Sequence, residues 1–355
     1  MNRRTFLATC AVPALIPAVR ALAAPPEEAK RGERVAALMA EHAVPGLGYA
    51  LVRQGALAEH GALGVVNLET GTPVDAETVF EAASLTKPLL AQSVLKLAEE
   101  GRIDLSRPLV EYHQSTVEVE RPEWFKQITA THVLSHTTGL PNWHQSRKPV
   151  PQRFQPGEQF SYSGMAYVLL QRVIEKLIGA AFEHHIAESL FKPLGMESAS
   201  LVWRGDYEAR LAHGHTPNGK AGRSKMEQAI AASSLVCTAV DYARLLELLL
   251  SPQGTAPLQL KPESVTAMLT PVSHASEGID WGLGWGLESA SAERHAFHWG
   301  NNGNRYHAFT AWNAATRDGC VVMTNSGNGL RLCKDLVPEL LPGPHPAFDW
   351  DMVVR

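Results

Sequence analysis

Strand-like segments lie near both ends of this chain with a long helix-and-loop stretch between them, and that arrangement limits the possible folds more than any other feature. Towards the start, Gly46 to Val52, a Gln54-Gly55 turn and Leu57 to Val66 read as a β-hairpin. Towards the end, Trp281–Leu287, His295–Trp299, Tyr306–Trp312 and Gly319–Thr324 read as further strands, followed by a helix over Leu330–Leu341. Strands so far apart in sequence share a core most simply as one antiparallel sheet built from both ends. The middle, about 105–235, is helix and loop, with helical patterns over Thr131–His136, Met165–Ile178 and Phe182–Leu190. Thr238 with Asp241 three residues on has the form of a capping box for a helix to Leu250. There is no internal repeat and no linker long enough for a domain boundary, so residues 24–355 read as a single domain.

The composition supports a sizeable core: 355 residues, 45% apolar and 19% charged, which excludes collagen-like, low-complexity and disordered classes. With 32 basic against 36 acidic side chains the formal charge is −4, and no electrostatic argument favours a nucleic-acid partner. Residues 1–23 combine a basic start, a short apolar run and an Ala21-Leu22-Ala23 end, the three parts of an export signal. Arg3-Arg4 before Phe6-Leu7 resembles a twin-arginine signal, so the expected location is periplasmic or secreted. The apolar run is shorter than the roughly 20 residues of a membrane span, and Pro13 and Pro17 interrupt it, so no stable span is expected after cleavage. The segment carries three arginines and no acid, and its removal takes the charge from −4 to −7. Cys10 leaves with it. The remaining Cys237, Cys320 and Cys333 form no C-x-x-C and are expected as free, buried thiols.

Ser84-Leu85-Thr86-Lys87 places a hydroxyl and an amine three residues apart, on one face of a helix. An amine so placed can take the hydroxyl proton and make the serine a nucleophile. Ser93-x-x-Lys96 and Ser189-x-x-Lys192 share the spacing, but only Ser84 opens a helix, directly after the strand-like Thr78-Val79-Phe80. A helix start offers unpaired backbone N–H groups where an oxyanion would form. The competing reading of Ser84 is a simple N-cap.

Further segments decide between these readings. Val79-Phe80-Glu81-Ala82-Ala83-Ser84-Leu85-Thr86-Lys87, Gly101-Arg102-Ile103-Asp104-Leu105, Leu134-Ser135-His136-Thr137-Thr138-Gly139-Leu140-Pro141, Pro156-Gly157-Glu158-Gln159-Phe160-Ser161-Tyr162-Ser163, Pro193-Leu194-Gly195-Met196, Thr238-Ala239-Val240-Asp241, His298-Trp299-Gly300 and Met323-Thr324-Asn325 follow one another over about residues 35–330. In that order they resemble the serine β-lactamase and penicillin-binding superfamily, and more narrowly its class C-related serine hydrolases and family VIII carboxylesterases. The resemblance implies an α/β (α+β) fold: an antiparallel sheet flanked by helices, an all-helical subdomain inserted at about 105–235, and an active site between them.

Carried over, the resemblance makes Ser84 the nucleophile, Lys87 its proton acceptor and Tyr162 the second proton-transfer group, with the oxyanion hole formed by the backbone N–H groups of Ser84 and Asn301. Lys87 must be desolvated or placed near other positive groups to act as a base, and its neighbours Ala82, Ala83, Leu85 and Pro88-Leu89-Leu90 suit burial. Substrate contacts are expected from His298, Trp299, Gly300, Gly164, Asn142 and Trp143, with Trp299 and His298 open to core roles as well. Two departures from the family pattern bear on substrate. Gly164 stands where the lactamase-type second motif has an asparagine that contacts the acyl side-chain amide. His298, largely neutral at pH 7, stands where many members have a lysine that meets a carboxylate. Both favour an esterase or amidase of small molecules over a β-lactamase or a peptidase of D-amino-acid substrates. A catalytically silent cell-wall-binding member is the rival of another class, and the joint presence of Ser84, Lys87 and Tyr162 argues against it. His213-Gly214-His215 and His184-His185 lack the spacings of metal motifs, so no metal is expected. Nor does a glycine-rich nucleotide loop occur, so no cofactor is expected. Small-molecule esters, amides or β-lactam-like compounds are the expected partners. No sequence feature sets an oligomeric state.

Overall fold

A computed structural model describes residues 26–146, 148–251, 254–289 and 294–354. The expected export signal over 1–23 lies outside the described residues.

The chain begins with helix α1 (Pro26–Glu41) and the hairpin β1 (Gly46–Arg53) and β2 (Ala56–Gly64). A short strand β3 (Phe80–Ala83) leads through a 3-10 turn at Ser84–Thr86 into α2 (Lys87–Glu99). The middle holds α3 (Pro122–Phe125), α4 (Ala130–Leu134), α5 (Gly164–Ile178), α6 (Phe182–Ile186), α7 (Lys192–Leu194) and α8 (Tyr207–Arg210). Three short strands follow: β4 (Gly214–His215), β5 (Ala221–Gly222) and β6 (Leu235–Cys237). After α9 (Ala239–Leu250) and α10 (Pro262–Met268) come β7 (Ser273–Ser276), β8 (Ile279–Trp281), β9 (Gly286–Glu288), β10 (Ala296–Asn302), β11 (Tyr306–Asn313), β12 (Asp318–Thr324) and α11 (Gly329–Leu340).

Eight strands form one antiparallel sheet in the order β2-β1-β12-β11-β10-β9-β8-β7, so the two ends of the chain meet where β1 pairs with β12. Helices cover both faces, and the strands are correspondingly apolar on both sides. Alternation sorts them: Leu47, Tyr49, Leu51, Phe309, Cys320 and Val322 pack with α1 and α11, while Ala50, Val52, Ala308, Val321 and Met323 join the core shared with α2 and α9. The expected strand over Trp281–Leu287 is instead split into β8 and β9. Gly284 sits at φ 93°, and a Cβ there would come within 2.3 Å of the Ala91 Cβ, so the segment must turn against α2. Strand β7 escaped the sequence reading because Ser273–Ser276 is short and polar. The Thr238–Asp241 capping box forms at both hydrogen bonds. Cys237, Cys320 and Cys333 are free and buried. Among the described residues no helix is long and apolar enough to cross a membrane.

Candidate active site

Strand β3 ends at Ala83, whose backbone lies at φ 52° and ψ −125°, a conformation that costs a non-glycine residue about 1–3 kcal/mol. Surrounding contacts hold it there. Thr86 Oγ1 donates to the Ala83 carbonyl at 2.6 Å and accepts from Leu235 N–H at 2.9 Å, tying the turn to β6. The reversal lifts Ser84 to the start of the 3-10 turn, and the α-helix proper begins three residues later at Lys87, with Pro88 in its first turn. Ser84 therefore sits on a strained strand-to-helix corner, and the α-helix begins about one turn later than a helix opened by Ser84 itself would.

Lys87 is fully buried, and its Nζ lies 2.9 Å from Ser84 Oγ and donates to the Ala232 carbonyl at 2.7 Å. The Tyr162 and Tyr167 rings flank it, with centroids 4.8 and 5.5 Å away. Burial holds its pKa well below the usual lysine range. A neutral amine donating one hydrogen to Ala232 has its lone pair available for the Ser84 hydroxyl.

Tyr162 precedes Ser163, the N-cap of α5, whose Oγ accepts from Ala166 N–H at 3.0 Å and donates to Pro141 O at 2.8 Å. The Tyr162 hydroxyl is buried, and among the described residues it meets no partner at normal hydrogen-bond geometry. Burial raises its pKa, and the nearby Ser84 hydroxyl offsets this only in part, so the phenol stays protonated at neutral pH.

Strand β10 supplies the opposite wall. Beyond Phe297 its outer edge no longer pairs with β9, while its inner edge pairs with β11 as far as Asn302. Gly300 lets β10 approach β3: a Cβ there would meet the Ala82 carbonyl at 2.4 Å and the Ala83 Cβ at 3.0 Å. The next residues are tied in as well, Asn302 Nδ2 donating to buried Glu81 at 2.7 Å and Asn304 N–H donating to Asn301 Oδ1 at 2.9 Å.

A cleft of about 700 Å³ opens onto Ser84 and is lined by Tyr162, Asn142, Trp299 and Asn301. Its remaining wall was missed in the sequence reading. Much of it is Asn328, Leu330 and Arg331 around the start of α11, and Met352, Val353 and Val354 from a strap that crosses back over the sheet. No motif marks these residues, because the fold brings them to Ser84 across more than 240 positions. Four of the expected contacts do not line it: Gly300, which packs against β3, and His298, Gly164 and Trp143. His298 is fully buried on the face of β10 that meets β3, behind Tyr162, its Nδ1 2.9 Å from the Trp299 carbonyl, and burial pushes its pKa down to about 3. It lines the back of the site and does not reach the cleft surface. Gly164 is beneath the side chains of Asn142 and Trp143, and Trp143 covers it from outside, 49% exposed.

Away from the cleft, Glu288, His295 and His345 bring three residues of metal-ligating type together. The two rings stack, 4.7 Å apart and 22° from parallel, so their in-plane lone pairs cannot converge on one ion. His345 Nδ1 lies 2.9 Å from Glu288, and its Nε2 lies 2.7 Å from the Leu341 carbonyl. That is the arrangement of an ion pair.

A protein-family model described as Beta-lactamase matches residues 33–336. The chain is 26% identical to penicillin-binding protein 4 of Amycolatopsis lactamdurans over 87% of this chain and 88% of that one. Further curated relatives align over only 35% to 38% of their own length. A class C β-lactamase shares the fold with a TM-score of 0.75 at 20% identity, covering 91% of this chain and 99% of that one. The D-alanine carboxypeptidase AmpC of Burkholderia cenocepacia does so with a TM-score of 0.73 at 20% identity, covering 88% and 98%.

Proposed function

Since the chain belongs to the Beta-lactamase family, and with it to the serine hydrolases that work through an acyl-enzyme, we propose that Ser84 is its nucleophile and that its substrates are small amides or lactams carrying a carboxylate, the chemistry shared by β-lactams and D-alanyl peptides. The observation that carries the substrate class is Arg331, which lines the same cleft as Ser84. The missing third-motif lysine had weighed against a carboxylate-bearing substrate. Arg331 supplies a cation from α11 instead, and guanidinium is well matched to a carboxylate.

In this reading the neutral Lys87 amine takes the Ser84 proton as Oγ attacks the substrate carbonyl. The oxyanion accepts hydrogen bonds from the Ser84 and Asn301 N–H groups, each worth about 3–4 kcal/mol in the transition state. The C–N bond breaks as the protonated Tyr162 gives its proton to the leaving nitrogen and regains one from the Lys87 ammonium. Water then adds to the acyl-enzyme, its proton passing to the same pair, and Oγ leaves with a proton restored. The residues 1–23 belong to the proposal too, as an export signal that places this chemistry outside the cytoplasm.

The test is intact-mass spectrometry after benzylpenicillin, with wild type and Ser84→Ala, alongside hydrolysis of an N-acyl-D-alanyl-D-alanine peptide. A penicilloyl adduct on wild type alone, or release of D-alanine, supports the reading. Rapid turnover of a short-chain p-nitrophenyl ester with neither adduct nor peptide hydrolysis would overturn it in favour of an esterase.

A further inference from the structure

The strap presents an apolar surface to the Ser84 cleft on a backbone that is fixed at several points. A 3-10 turn over Pro346–Asp349 seats Phe348 on Phe309 of β11, with ring centroids 4.4 Å apart. Trp350 then packs against Phe160 and Trp299, and the Trp299 ring lies 5.2 Å from that of Tyr162. The Trp350 carbonyl accepts from the N–H groups of Val353 and Val354 at 2.8 and 3.1 Å, which closes a turn around Met352. Val353 is buried, whereas Met352 is 37% exposed, and both line the cleft with Val354. A large apolar side chain left exposed on a fixed backbone gains free energy when an apolar group of a ligand covers it.

Leu330 extends this surface from α11. It is buried, it lines the cleft, and its N–H donates to His307 Nδ1 at 3.3 Å, which fastens the first turn of the helix to β11. The next residue is Arg331, so the cation of the cleft shares its wall with Leu330, Met352 and Val354. Asn142 and Asn301, on the other walls, are polar. The apolar lining is concentrated at the Arg331 end, since Trp299, the apolar member of the β10 wall, is itself packed against Trp350 of the strap.

We propose that Leu330, Met352 and Val354 form a specificity pocket for the leaving group, selecting substrates in which the carbon next to the carboxylate carries a large apolar side chain, as in a peptide ending in leucine or methionine. The inference rests on the carboxylate-bearing substrate class above. In an amino-acid leaving group the scissile nitrogen, the carboxylate and the side chain share one carbon. With the nitrogen at Ser84 and Tyr162 and the carboxylate at Arg331, the side chain starts one bond from that carbon and meets the surface beside Arg331. A methyl group leaves most of this surface bare, whereas a branched four-carbon chain covers it. The wall is in place before binding, so the contact costs little ordering, and the unbranched Met352 adapts to chains of different shape.

The test uses thioesters of one acyl group with three thiols of D configuration: thiolactate, which is the thiol analogue of alanine; the thiol analogue of leucine; and the carboxamide of the latter. Thiol release gives kcat/KM for each. A carbon buried against the wall is worth about fourfold, so wild type is expected to favour the leucine analogue over thiolactate by about tenfold or more. Met352→Ser and Val354→Ser are each expected to cut that preference to about threefold or less. Val272→Ser, comparably exposed to Met352 but outside the cleft, should leave it as in wild type. No preference in wild type, or one that survives both strap variants, with the carboxylate still required, overturns the pocket while the substrate class stands. If the carboxamide is turned over as fast as the carboxylate, the substrate class falls and this inference falls with it.

Discussion

The imidazole of His136 lies against the phenol ring of Tyr162, with centroids 4.2 Å apart and planes 33° from parallel. The contact is one part of a clasp. His136 takes a hydrogen bond from Ser161 N–H on its carbonyl at 2.7 Å and from Ser163 N–H on its Nδ1 at 3.1 Å, so the residues on both sides of Tyr162 are tied to it. Its backbone lies at φ 55°, which asparagine tolerates better than most residues. His136→Asn therefore removes the ring while sparing the backbone. We expect about 1–3 kcal/mol lower stability and a kcat reduced about 10- to 100-fold, with KM little changed. Steady-state kinetics with the preferred acyl substrate measures this. A kcat equal to wild type would mean that Tyr162 needs no such support.

The buried bases give a pH dependence of defined sign. Lys87 is desolvated and its pKa is lowered in the fold, so between that value and the roughly 10.4 of a free lysine the unfolded chain binds more protons. Stability from this group rises with pH across that interval, by up to about 1.4 kcal/mol per pH unit. Burial likewise lowers His298 to about 3 and His307 to about 4. Their contribution is complete above the free value near 6.5 and is lost as the pH falls towards those folded values. Lys87→Met should therefore flatten the alkaline part of the stability curve, keep the loss below about pH 6.5, and abolish acylation. Urea unfolding from pH 3 to 10 tests it. An unchanged alkaline slope in the variant would show that Lys87 is charged in the fold.

Gly300 has a comparable bearing on the oxyanion hole. Its Cα approaches Ala82 so closely that any Cβ must push β10 off β3. Ser84 follows β3 and Asn301 follows Gly300, so the displacement separates the two N–H groups that would share the oxyanion. Gly300→Ala is expected to lower kcat about 10²- to 10³-fold, the usual cost of losing one such donor. Substrate affinity should change far less, because Asn142, Arg331 and Met352 hold the cleft's other walls from elements outside β10. Pre-steady-state acylation rates against substrate concentration separate the two. A large rise in KM at constant kcat would count against the oxyanion role.

What the sequence made legible follows the physical range of each signal. Ser84 and Lys87 are three residues apart, and Thr238 caps Asp241 at the same distance, so their geometry is written locally. Strands β10 to β12 show as strands because both faces are covered and most of their positions are apolar. The turn at Gly282–Gly284 was not legible, since what forces it is the approach of Ala91 from a distant helix. Asn142 and Gly164 illustrate the same limit within the site: the sequence shows a glycine where an amide is expected, and only the fold puts another amide beside it. Arg331, Met352 and Val354 carry no local mark at all. Their proximity to Ser84 is a product of sheet order, which places the two ends of the chain together.

The strap that carries Met352 to Val354 is held at two points, Trp350 and His345, and the second of these is chargeable. Trp350 packs between Phe160 and Trp299, with centroids 5.7 and 5.5 Å away, and its carbonyl accepts from Val353 and Val354 N–H groups. His345 is fixed to Glu288 and to the Leu341 carbonyl. Burial works against its charged form, but the hydrogen bond and charge of Glu288 outweigh it and raise its pKa above the ordinary histidine value. A raised pKa means that the clamp contributes fully below about 6.5 and is lost as the pH rises through the folded value, the opposite sense to His298. Glu288→Gln removes the charge while keeping a side chain of the same shape. It should cost about 3 kcal/mol, as for a buried ion pair broken on one side, and should free the strap from the cleft. The expected signs are faster proteolysis between Leu341 and Phe348 and a higher KM for substrates with an apolar group, both more pronounced at pH 5.5 than at pH 8.5, where wild type has itself lost the clamp. Equal protection of the strap in variant and wild type at pH 5.5 would show that Trp350 alone holds it in place.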